Sequence, residues 1–124
     1  MNKYKIYVSG PISGRDEKES REAFSRMCET LEGLGYEAVN PWDLAGKAEG
    51  HRWADYVLND LRALRDCDGL MQLEGWVDSM GCQTELDFAL GLGIPIFYEL
   101  DVKGRLRQEW MRHRLAQPRE EENV

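Results

Sequence analysis

Apolar positions along the 124-residue chain come in two alternating rhythms. Short runs of β-branched and aromatic residues read as strands, and longer stretches with apolar residues three and four apart read as helices. The spacing predicts a strand over 5–9 (KIYVS) ending at Gly10, and a loop whose turn residues are Gly10, Pro11 and Gly14. A helix over about 17–34 follows, with Phe24, Met27, Cys28, Leu31 and Leu34 on one side, and Gly35 stops it. A second strand is predicted at 36–39, closed by Asn40-Pro41-Trp42, then a polar loop and a helix over about 51–65. The third strand is expected at 68–73, a helix with Ser79 as its N-cap over about 79–92, and a fourth strand at 94–98. A last helix is expected over 102–115 and a charged, frayed tail over 117–124.

Strands alternating with helices predict an α/β fold: a small doubly wound parallel sheet of about four strands, order 2-1-3-4, in one domain over 1–116. The topological switch point then lies between strands one and three. The loops after those strands, 10–16 and 74–79, are expected to flank one crevice, which is where open parallel sheets bind ligands. Trp110, Met111 and Leu115 form an apolar set near the C-terminus that needs cover beyond a small sheet, so a homodimer or larger homo-oligomer is expected.

Composition narrows the partners. With 42% hydrophobic and 31% charged residues the chain has globular proportions, and it holds no apolar run long enough for a membrane span. The start, MNKYKIYVSG, lacks a signal-peptide layout, and Cys28, Cys67 and Cys82 show neither disulfide nor zinc spacing, so a cytoplasmic protein is expected. A formal charge of −7 argues against a nucleic-acid polymer as partner. It leaves room for a single nucleotide, since a few amides and one arginine can hold one phosphate.

The chemistry concentrates in three places. Glu85 stands near the start of the 79–92 helix at the expected crevice, where the helix dipole favours a carboxylate's anionic, nucleophilic form; the bland alternative is a solvated surface acid. Asp60 falls in the middle of the stripe formed by Trp53, Tyr56, Val57 and Leu64, a costly place for a carboxylate unless it is paired or lines a cavity. Arg62 or Arg65 is a candidate partner for a purely structural Asp60. Tyr7 and the loop GPISGR (10–15) form the third cluster. Backbone N–H groups of such a turn can approach a phosphate, although the loop has neither a Walker lysine nor a dinucleotide glycine spacing. Trp42, Trp53 and Trp76 are candidates for stacking on a base. His51 and His113 have no partners at metal or triad spacing, and neither metal nor cofactor is expected.

Three segments, IYVSGPISGR (6–15), LNDLRALRDCDGL (58–70) and DSMGCQTELDFAL (78–90), resemble the nucleoside 2-deoxyribosyltransferase superfamily, which includes the 2'-deoxynucleoside 5'-monophosphate N-glycosidases. The string GWVDSMGCQTE is most similar to an uncharacterised bacterial and phage branch of that superfamily. The resemblance implies that Glu85, in its S-x-G-x-x-x-E setting, is the nucleophile, and that Asp60 positions the sugar and assists protonation of the base. Tyr7 matches a first-strand active-site tyrosine. The expected substrate-binding set is Ser9, Gly10, Ser13, Gly14, Arg15, Trp76, Ser79 and Gly81; the resemblance matches Gly10 to the glycine of the adjoining turn and Ser79 to the position where the monophosphate-specific members bind phosphate. Pro11 and Ser13 replace the serine and arginine of those members' first loop, Arg15 is two positions away, and Gln83 replaces a glycine. The implied activity is cleavage or transfer of the N-glycosidic bond of a 2'-deoxynucleoside or its 5'-monophosphate. The changed first loop motivates an alternative, a non-catalytic nucleotide-binding or sensing module. A phosphoacceptor domain fits poorly, because Val8-Ser9-Gly10 offers no acidic pair after strand one.

Overall fold

The computed structural model describes residues 3–44, 52–102 and 105–119. Strand β1 (Lys5–Ser9) is extended through Ile6, Tyr7 and Val8, all fully buried. Helix α1 (Glu17–Gly33) starts where Asp16 Oδ1 accepts from the Glu19 N–H at 3.0 Å, with Glu17 and Glu19 at the positive end of the dipole. It ends at Leu34, and Gly35 takes the left-handed conformation (φ +94°) that lets the chain turn back into β2 (Glu37–Val39). Helix α3 (Trp53–Arg65) leads to β3 (Gly69–Gln72), and α4 (Met80–Gly91) leads to β4 (Ile96–Tyr98). A single 3-10 turn, Glu99–Val102, precedes α5 (Arg105–Leu115).

The four strands form one all-parallel sheet in the order β2-β1-β3-β4, as the alternating pattern predicts. Period-two alternation splits its side chains between two cores. Ile6, Val8, Met71 and Phe97 face α1 and α5, where they meet Phe24, Leu31, Met111 and Leu115. Tyr7 and Leu70 face the other way and pack with Leu64 of α3, Ala89 of α4 and Ile94 just after α4. Gly69 opens β3 because a Cβ there would stand 3.0–3.1 Å from Phe97, Ile6 and Leu115.

Several expectations need correction. A short helix, α2 (Pro41–Leu44), occupies the start of the expected loop. The helix expected from His51 begins at Trp53, where Asp55 Oδ2 accepts from the Arg52 N–H at 2.8 Å; His51 lies outside the described residues. Strand β4 begins at Ile96, since Pro95 has no N–H to give the ladder, although its carbonyl still accepts from Leu70. Met111 and Leu115 are 3% and 8% exposed, covered by the chain's own core, and only Trp110 is half-exposed, edge-on to Phe97. Met111 and Leu115 are thus covered without a second subunit. The start of the tail is not frayed: Arg119 donates to the Cys67 carbonyl and lies 4.0 Å from Asp68. No helix among the described residues is long and apolar enough to cross a membrane.

Candidate functional site

Because β1 and β3 are neighbours, the segments that follow them emerge together at the carboxyl edge of the sheet. Leu73 N–H donates to the Ser9 carbonyl at 2.7 Å, which extends this pairing one step past the strands. Gly75 then turns the chain at φ +89°, and Ser79 caps α4 by accepting from the Cys82 N–H at 3.3 Å. A cleft of about 820 Å³ opens between these segments, α2 and the N-terminal half of α3.

Glu85 reaches the cleft wall from the second turn of α4, and only 7% of its surface is exposed. Tyr7 and Ser9 are two apart on β1 and so share a face; both side chains point at this carboxylate. The Tyr7 hydroxyl donates to Oε2 in a short hydrogen bond, and Ser9 Oγ donates to Oε1 at 2.9 Å. Burial pushes the Glu85 carboxyl up to about 7; the two hydrogen bonds oppose that rise and the charge of Asp60 adds to it. The helix dipole therefore does not govern this residue as the sequence suggested, since its influence fades beyond the first turn. The Tyr7 phenol is held well above its ordinary range by its own burial and by Glu85 and Asp60, which keeps it a donor.

Asp60 lines the same cleft. Of the stripe it interrupts, only Leu64 is buried in the core, while Trp53, Tyr56 and Val57 stand with Asp60 along the cleft. The apolar face of α3 is thus cleft wall in its first half and core contact in its second. Burial pushes Asp60 up to about 6. Arg65 pairs with Asp66 at 3.2 Å instead.

The remaining expected residues divide. Gly10, Ser13, Arg15, Ser79 and Gly81 line the cleft. Ser9 and Tyr7 stand behind Glu85 and act on the cleft through it. Gly10 is glycine for packing as much as for access, because a Cβ would meet Leu73 Cδ1 at 2.7 Å and the Phe24 ring at 3.0 Å. Gly14 serves its turn (φ +76°) and is not on the wall. Trp76 is not on it either; its ring lies against Tyr98, with centroids 5.5 Å apart. The indoles of the cleft are Trp42 and Trp53, and the guanidinium of Arg21 sits 4.2 Å over the Trp42 ring. Arg21 and Glu17, which no sequence signal marks for the site, also line the cleft, as does Asp78 from the turn before α4. Among the described residues no group of three or more His, Cys, Asp or Glu side chains is arranged to hold a metal ion.

Residues 4–98 match the family model described as a domain of unknown function, DUF4406. The chain belongs to the DUF4406 family. Comparison with curated proteins gives no match. Solved structures give several. The 2-deoxyribosyltransferase from Bacillus psychrosaccharolyticus aligns with a TM-score of 0.60 at 22% identity, over 76% of this chain and 70% of that one. A conserved protein from Enterococcus faecalis V583 gives 0.62 at 19%, over 89% and 73%. The CMP N-glycosidase BcmB of Clostridium botulinum gives 0.52 at 15%, over 87% and 80%. This DUF4406 chain therefore shares the deoxyribosyltransferase-like α/β fold, at identities that speak to architecture alone.

Proposed function

We propose that this DUF4406 protein cleaves or transfers the N-glycosidic bond of a 2'-deoxynucleoside or its 5'-monophosphate, with Glu85 as nucleophile. The observation that carries this reading is the Glu85 carboxylate, fixed from behind by Tyr7 and Ser9 and open to a cleft that Asp60 also faces. The fold shared with a 2-deoxyribosyltransferase and a CMP N-glycosidase supports it.

Breaking a deoxyribosyl C1'–N bond builds positive charge at C1'. A carboxylate beneath that carbon stabilises the charge and can trap it as a glycosyl ester. Two donated hydrogen bonds leave Glu85 in one orientation, so its attack needs little reorganisation. A neutral base leaves readily only when it is protonated, and Asp60, pushed up to about 6, is the donor near the cleft. Water resolves the ester in hydrolysis; a second base resolves it in transfer. Ser79, Gly81, Ser13 and Arg15 are the groups assigned to the sugar's 5' side.

The test is base release from a panel of deoxynucleosides and monophosphates, followed by chromatography. Wild type is expected to release base, and Glu85→Ala to lose at least about 10³-fold of the rate. Saturable binding with no release by wild type would replace this reading with the binding-module alternative.

A further inference from the structure

The charges and rings on the cleft wall bear on which substrate it takes. Among the described residues it carries four carboxylates, Glu17, Asp60, Asp78 and Glu85, against two guanidinium groups, Arg15 and Arg21. Arg21 is already engaged, with Nε 3.8 Å from Glu17 Oε2 and its guanidinium over the Trp42 ring. Arg15 lies against Gly75, where a Cβ would stand 2.9 Å from its Nη2. A 5'-phosphate would bring about −1.5 to −2 further charges into this surrounding. The exposed Asp78, directly before the Ser79 cap where the phosphate would be expected, would then repel it. The other half of the wall is aromatic. Trp53, Tyr56 and Asp60 lie three and seven residues apart on one side of α3, with Trp42 also lining the cleft. Ring faces attract cations, and Arg21 over Trp42 is that attraction made within the chain.

We propose that the cleft takes an unphosphorylated nucleoside whose base carries a positive charge, an N-alkylated purine or a pyridinium, with the aromatic wall and Asp60 receiving the base. The proposal rests on the reading of Glu85 as the group that meets C1'. With this substrate the C1'–N bond breaks with its electron pair passing to the base nitrogen, which cancels the positive charge of the ring. A bond forms between C1' and a Glu85 oxygen. Water then adds to C1', releases one proton, and frees the carboxylate. Cationic nucleoside and water thus give free sugar, neutral base and a proton, and the base departs without a proton donor.

The experiment is calorimetric binding to Glu85→Gln of nicotinamide 2'-deoxyriboside, a fixed pyridinium cation, in buffer well above pH 6 where Asp60 is ionised, beside its neutral 1,4-dihydro form and its 5'-monophosphate. The cationic probe is expected to bind about tenfold or more tighter than the neutral one, with the monophosphate weakest. Asp78→Lys, added to the same protein, is expected to narrow the gap between the cationic probe and its monophosphate by about tenfold. Equal affinities, a monophosphate that binds tightest, or a gap that Asp78→Lys leaves unchanged would overturn the proposal. Base release by wild type from the same probes, against enzyme-free controls, decides the underlying reading separately. A preserved charge preference in binding with no release would support the selectivity and remove the catalytic assignment.

Discussion

Burial of Glu85 sets reactivity against stability. The anionic form needed for attack is the form that the surroundings disfavour, and the Tyr7 and Ser9 hydrogen bonds only partly restore it. In the folded protein this carboxyl titrates near 7, above its ordinary 4.5, so the folded state binds the proton more tightly than the unfolded chain. The resulting stabilisation is fully present below pH 4.5 and is lost as pH rises through about 7. Glu85→Gln, which cannot ionise, is therefore expected to match wild type at low pH and to exceed it in alkaline buffer by roughly 3 kcal/mol, from urea unfolding curves. Equal pH dependence in the two proteins would mean that Glu85 is solvated as an ordinary acid. Glu85 and Asp60 were legible as candidates, one from its motif and the other from its misfit on an apolar stripe. Their protonation was not, because it depends on a burial that only the assembled β1, α3 and α4 create.

At the scale of elements, the site depends on how α4 begins. Ser79 both caps the helix and borders the cleft, so its removal should be felt in folding before any question of ligand. Ser79→Ala is expected to lower stability by about 1 kcal/mol in thermal or urea unfolding, with secondary structure otherwise unchanged by circular dichroism. Helices with a clear boundary signal, such as α1 before Gly35 and α4 after Ser79, were readable to within a residue or two. Helix α2 was missed, although its signal was present: Pro41 occupies the first helical position, and Asn40 Oδ1 accepts from the Trp42 N–H at 3.1 Å. Four residues are too few for periodicity to register. Helix α2 sets Trp42, already a stacking candidate, on the cleft, while Arg21 reaches it from α1. Trp76, expected as a candidate for stacking on a base, has its ring taken up by Tyr98 instead.

For the molecule as a whole, α5 closes one face of the sheet with Met111 and Leu115 turned into the core. Met111 lies in the core shared by Ile6, Phe24 and Phe97. Met111→Ala is expected to cost about 2–4 kcal/mol of stability while leaving the mass measured by light scattering at that of wild type. A change of assembly state with little loss of stability would assign Met111 to an interface instead. The strand order was legible because alternating strands and helices admit few topologies. Which apolar residues α5 hides was not, since that depends on the depth of the groove over Gly69. The positions of the indoles have a practical consequence. Two of the four tryptophans, Trp42 and Trp53, border the cleft, whereas Trp76 and Trp110 pack against Tyr98 and Phe97. The unlabelled protein thus contains its own optical gauge: an aromatic molecule settling in the cleft alters the emission of the first pair and leaves the second as an internal standard.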